Sequence, residues 1–159
     1  FGAFCYPSRE GVEAYRRYRE DLEALVGEVN ARWATPDWTP IVLELDDDYP
    51  RSLAALRRND VLVVNPVRDG LNLVAMEGAV VNDHAGGLVL SRNAGCWDLL
   101  ADTADGVHPF DLSDTASAMA RALGRDAAER VEMAERRRSV VASRSAHDWL
   151  ADQLAAISR

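Results

Sequence analysis

The stretch Asp60-Val61-Leu62-Val63-Val64-Asn65-Pro66-Val67-Arg68-Asp69-Gly70-Leu71-Asn72-Leu73-Val74-Ala75-Met76-Glu77 changes character twice along its length. Val61–Val64 is a continuous apolar run with no polar alternation. That pattern predicts a strand buried on both faces, as in a parallel sheet covered by helices. Asn65, Pro66, Asp69 and Gly70 are turn formers, and Pro66 removes a ladder donor. A helix is expected from about Asn72 to Val81. Strand, polar turn and helix make the start of a βα unit. In open parallel sheets, ligands bind beyond the carboxyl ends of the strands, so Asn65 to Glu77 is the segment to examine.

The same alternation extends in both directions. Upstream, Phe1–Tyr6 predicts a strand, Ser8 a helix N-cap, and Arg9 to about Trp33 a long helix with apolar steps of three, four and seven. Pro36 and Pro40 fix a loop, Ile41–Leu45 a strand and Arg51–Arg58 a helix. Asp46-Asp47-Asp48 reads as a solvated turn rather than a metal site. Downstream come a strand at Leu88–Ser91, a short helix at Cys96–Leu100 and a strand at Gly106–His108. Helices are expected at Ser113–Leu123, Asp126 to about Val141, and His147–Ile157. The order β-α-β-α-β-α-β-α-β predicts an α/β, Rossmann-like parallel sheet with helices on both faces, followed by a helical tail.

The chain has 159 residues, of which 48 % are hydrophobic and 28 % charged. That length and balance predict one folded domain over residues 1–159 rather than a disordered chain. Formal charge is −8, which argues against non-specific nucleic-acid binding. All 18 basic residues are Arg, so no Lys is available for catalysis or phosphate binding. No apolar run reaches the roughly 18 residues of a membrane span. Cys5 and Cys96 read as reduced thiols of a cytoplasmic protein. His, Cys and Asp are too scattered for a zinc site. There is no Gly-x-Ser-x-Gly, no Gly-x-Gly-x-x-Gly and no P-loop. Glu135-Arg136-Arg137-Arg138 reads as a solvated helix face. His84 is expected to be exposed and His108 to pack.

The turn itself suggests chemistry. Gly70 lets a ligand approach the backbone, and the amides of Leu71, Asn72 and Leu73 would point outward at a helix N-terminus, an anion site. Glu77 lies about one and a half turns along the helix, where a carboxylate can accept from two vicinal hydroxyls such as a ribose diol. Asp69 could do the same for a sugar. The same residues also fit a plain N-cap and a solvated Glu.

This stretch closely resembles the trehalose-6-phosphate synthase family of retaining two-domain glycosyltransferases, whose hallmark here is Arg-Asp-Gly-Met-Asn-Leu-Val-Ala-Lys-Glu. Pro7-Ser8-Arg9-Glu10, Trp38-Thr39-Pro40-Ile41, Leu88-Val89-Leu90-Ser91 with Ala94-Gly95, and His108-Pro109-Phe110-Asp111 resemble further family motifs, in order along nearly the whole chain. The resemblance implies the C-terminal, donor-binding half of a GT-B enzyme. Such enzymes transfer glucose from UDP- or GDP-glucose to glucose 6-phosphate, giving trehalose 6-phosphate, with no metal and no cofactor. It gives Asp69 the donor-sugar hydroxyls, the Gly70–Leu73 backbone the diphosphate, and Glu77 the ribose. Met76 stands where Lys is common and Leu71 where Met is. The family's basic diphosphate residues, one central strand of the sheet and the acceptor domain belong to upstream segments that this chain does not contain. The chain alone is therefore expected to be inactive, and a homo-oligomer stays open. Two alternatives remain: a pseudo-glycosyltransferase joining a nucleotide-activated cyclitol to an amino-cyclitol phosphate, which Leu71 and Val74 disfavour, and a non-catalytic binding module.

Overall fold

The computed structural model describes residues 1–7, 11–143 and 145–158. Its strands are β1 (Gly2–Phe4), β2 (Val42–Glu44), β3 (Val61–Val64), β4 (Gly87–Ser91) and β5 (Asp105–Val107). Its helices are α1 (Glu13–Trp33), α2 (Tyr49–Arg58), α3 (Leu73–Val81), α4 (Trp97–Leu100), α5 (Leu112–Gly124), α6 (Ala127–Ala142) and α7 (Ala146–Ile157), with a 3-10 turn at Ala101–Thr103. Strand and helix alternate as the apolar periodicity predicts. Every strand pair is parallel.

Among the described residues the strands form two sheets, β1-β2 and β3-β4-β5, where the alternation suggested one. The family resemblance implies a further central strand in such a sheet, and none of the described residues supplies it. Internal contacts likewise gather in two compact units, Phe1–Ala55 and Leu56–Arg159.

In the second unit, the two faces of the sheet sort by the period-two alternation of strand side chains. Val64, Leu88 and Leu90 pack with Ala75 of α3, Ala94, Cys96 and Leu100, joined by Leu62, Met76, Trp97 and Val141 of α6. Met76 is thus a packing residue. Val89 and Val107 pack on the other face with Ala118 and Ala122 of α5, joined by Val61 and Val63. Helices therefore cover both faces. All five residues of β4 are buried, but Val61, Leu62 and Val63 of β3 are only half-buried. The expected two-faced burial of β3 fails because this strand is an edge of its sheet.

The first unit is lightly buried. No residue of α1 is buried. This helix begins at Glu13, with Val12 in the cap position and no side-chain cap. Its expected start at Arg9 and N-cap at Ser8 fall on Ser8, Arg9 and Glu10, which lie outside the described residues. Gly11 and β-branched Val12 are poor helix formers, in keeping with the late start. α2 starts two residues earlier than expected, because Asp48 accepts from the Arg51 amide at 3.0 Å. The acidic turn is thus a helix cap. A cavity of about 670 Å³ in this unit is lined by Cys5, Tyr6, Tyr15, Leu22 and Leu45 among others, and holds none of the expected site residues.

The run Glu135–Arg138 is not a uniformly solvated face. Arg137 is 5 % exposed and donates to the carbonyls of Gly86 (2.9 Å) and Thr103 (2.7 Å). Burial, reinforced by the neighbouring Arg125 charge, pulls its guanidinium down to about 10. Arg138 donates to the Asn82 carbonyl at 2.6 Å. The two cysteines are free, as read from the sequence. No helix among the described residues is long and apolar enough to cross a membrane.

Candidate functional site

The turn after β3 is built against the turn after β4. The Asp69 amide donates to the Asn93 carbonyl (3.3 Å), the Gly95 amide to the Asp69 carbonyl (3.0 Å), and the Cys96 amide to the Leu71 carbonyl (2.9 Å). Asp69 and Ala94 form a parallel bridge. The Asn93 side chain donates to the Val67 carbonyl at 2.8 Å. These bonds extend the parallel ladder past the strand ends. A Cβ on Gly95 would sit 1.9 Å from the Gly70 carbonyl oxygen, so only glycine permits this approach. A Cβ on Gly70 itself would meet nothing within 4 Å, and the backbone there faces open space.

Asp69 is half-buried and organises the turn. Its Oδ1 accepts from the Leu71 amide (3.3 Å) and its Oδ2 from Asn72 Nδ2 (2.8 Å). The expectation of a free Leu71 amide is therefore corrected: an Asx-type turn takes it up. Asn72 is the N-cap of α3, with φ 73°, and its Oδ1 accepts from the Ala75 amide at 3.0 Å. Among the described residues, the amides of Asn72, Leu73 and Val74 have no protein acceptor. They are the orphan donors of a helix N-terminus, where the macrodipole favours an anion. The first turn of α3 itself carries no acidic residue; the Asp69 carboxylate lies on the turn before it.

Glu77 lies five residues beyond Asn72, about 7.5 Å along the helix axis. It is half-buried, and among the described residues no hydrogen bond or ion pair engages its carboxylate. One segment thus brings together Asp69, Gly70, Leu71, Asn72, Leu73 and Glu77. Cys96 is 1 % exposed beside them; burial pushes its thiol up, and the Asp69 carboxylate adds to the shift. His108, expected to pack, is exposed, and its Nδ1 accepts from the Phe110 amide at 3.4 Å. His84 is exposed, as read from the sequence. Among the described residues, no group of three His, Cys, Asp or Glu side chains could hold a metal ion.

Asn93 escaped the sequence reading. Its partners lie on a different βα turn, and no local pattern announces a bond between two loops.

The model of glycosyltransferase family 20 matches residues 3–159. The chain belongs to this family, that of the trehalose-6-phosphate synthases. A trehalose-6-phosphate synthase of Klebsiella pneumoniae is 36 % identical over 91 % of the chain, which spans 31 % of that relative. An α,α-trehalose-phosphate synthase (UDP-forming) of Burkholderia xenovorans, solved with glucose-6-phosphate, superposes with a TM-score of 0.93 at 34 % identity. The match covers the whole of this chain and 35 % of that one. The E. coli enzyme bound with UDP-2-fluoro glucose superposes at 0.92 with 32 % identity, over 99 % of this chain and 36 % of that one. Family 20 members with these likenesses are glycosyltransferases of GT-B architecture. The chain spans about a third of the relatives it matches.

Proposed function

We propose that this chain is the C-terminal, nucleotide-sugar-binding part of a retaining glycosyltransferase that moves glucose from UDP-glucose to glucose 6-phosphate, giving trehalose 6-phosphate. The carrying observation is the turn at the end of β3: three unpartnered amides at a helix N-terminus, open space over Gly70, and an unengaged carboxylate one and a half turns along. In this reading the amides of Asn72, Leu73 and Val74 receive the diphosphate and stabilise charge that grows on it as the glycosidic bond breaks. Gly70 lets the sugar lie against the backbone. Asp69 retains free lone pairs for donor-sugar hydroxyls, and Glu77 takes the ribose diol. Attack comes from the face that the leaving group occupies, through an oxocarbenium-like state, so position and electrostatics carry the reaction and no side chain acts as nucleophile. No metal or bound cofactor has a role.

Acceptor binding and the basic groups that meet the diphosphate charge fall to other parts of the intact protein. Uridine is favoured over guanosine because relatives are named as UDP-forming and one was solved with a UDP-sugar analogue. The test is calorimetric titration of the chain with UDP-glucose and GDP-glucose. We expect UDP-glucose to bind and Glu77→Ala to weaken it roughly tenfold to a hundredfold, the loss of a hydrogen-bonded carboxylate at about 1.5–3 kcal/mol. Binding indifferent to Glu77→Ala, or an intact protein that binds neither nucleotide sugar, overturns the site assignment. The intact protein should form trehalose 6-phosphate from UDP-glucose and glucose 6-phosphate, and the chain alone should not.

A further inference from the structure

We propose that the Asn72 side chain is a positioning residue that aims the Asp69 carboxylate at the donor sugar, a role separate from the Asn72 backbone amide. The proposal deepens the donor-site reading and rests on it.

Three observations converge. First, the carboxamide orientation is fixed. Oδ1 accepts from the Ala75 amide at 3.0 Å, which leaves Nδ2 as the end facing Asp69 Oδ2 at 2.8 Å. A flip would place a donor against the Ala75 N–H and an acceptor against a carboxylate. Second, Asn72 holds this place in a left-handed conformation, φ 73° and ψ 88°. Among the described residues only Ala85 shares a positive φ outside glycine. Asn tolerates that region better than most residues, but the conformation still costs energy, and such strain collects where surrounding structure needs a particular geometry. Third, the other carboxylate oxygen is held from the backbone, by the Leu71 amide at 3.3 Å. That weaker bond fixes one oxygen; the shorter, charge-assisted bond from Asn72 fixes the rotation of the group. Without it, the Asp69 side chain can turn toward solvent while the backbone of the turn stays put.

A simple cap would need only the Oδ1 bond. The Nδ2 bond satisfies no N–H of the helix and reaches the Asp69 carboxylate instead.

The discriminating variant is Asn72→Gly. Glycine adopts φ 73° without cost and is an acceptable N-cap, so the turn and its amides should survive. Two readouts are taken on the chain. Three-bond couplings across Cα–Cβ of Asp69 report its side-chain rotamer with no ligand present. Titrations with UDP and UDP-glucose separate the nucleotide from the sugar. We expect one Asp69 rotamer in the wild type and averaged couplings in Asn72→Gly. We also expect the variant to lose roughly tenfold more of its UDP-glucose affinity than of its UDP affinity, one charged hydrogen bond's worth. Asn72→Asp keeps the cap acceptor, lacks the Nδ2 donor, and should lose the preference as well.

An Asp69 that stays in one rotamer in Asn72→Gly overturns the proposal. So does an equal loss of UDP and UDP-glucose, which would mark Asn72 as a structural cap alone. An intact wild type that binds neither nucleotide refutes the donor-site reading; the rotamer measurement then still decides whether Asn72 positions Asp69.

Discussion

Two glycines in the site separate packing from ligand binding. Gly95 is pressed on the Gly70 carbonyl, so Gly95→Ala must drive the two turns apart and should lower stability by about 1–3 kcal/mol, read as a fall in Tm. Gly70 faces open space, so Gly70→Ala should leave Tm within about 1 °C and weaken UDP-glucose binding severalfold by placing a methyl where the sugar lies. A Gly70→Ala protein that unfolds early, or binds unchanged, contradicts this reading of the turn. The sequence showed much of this site, because Asp, Gly and Asn write turns and caps in local chemistry. It did not show that Asp69 turns back on the Leu71 amide and so shifts the open donors one residue along, to Asn72, Leu73 and Val74. Both arrangements satisfy the same turn formers, and only the side-chain rotamer separates them.

At the scale of elements, the two misread segments share a cause. Val61–Val64 reads as an interior strand because its composition is apolar, yet its burial depends on which strands flank it, and sheet order is not written in the strand. Arg137 reads as solvated because it sits in a charged run, yet one turn of α6 faces the carbonyls of Gly86 and Thr103. Arg137→Ala strands both acceptors and should cost about 3 kcal/mol in denaturant unfolding. The pH dependence has a definite sign. The folded guanidinium releases its proton near 10, below its unfolded range, so above that value the unfolded chain binds more protons and this group's contribution rises with pH. Wild-type stability minus that of Arg137→Ala should therefore widen between about pH 9 and about pH 11. A gap that narrows would mean the buried charge is better solvated than its surroundings suggest.

Across the molecule, burial is uneven. Among the described residues the buried aliphatic and cysteine side chains all lie from Val64 onward. Among the described residues of Phe1–Ala55 only Pro40 is buried. Local opening free energy follows buried apolar contact, so amide exchange should be slowest in β4 and about a hundredfold or more faster in α1, β1 and β2. Uniform protection across both units would refute that ordering. The α/β class was legible because alternation of strand and helix is a whole-chain signal. The division of the strands into two sheets was not, since each strand carries the same apolar signature whether or not a neighbour is present.

The paired turns at 67–71 and 93–96 also constrain how this protein can change. Each registers on the other through backbone bonds, and Gly95 leaves no slack. An inserted or deleted residue in one turn would slide its amides past the acceptors of the other. Length changes in these two segments should therefore be tolerated only in matched pairs, although the segments are far apart in the chain. For redesign of donor preference, the accessible variation lies in side chains along α3 and in the loops facing the sugar, with the length of the turn held fixed.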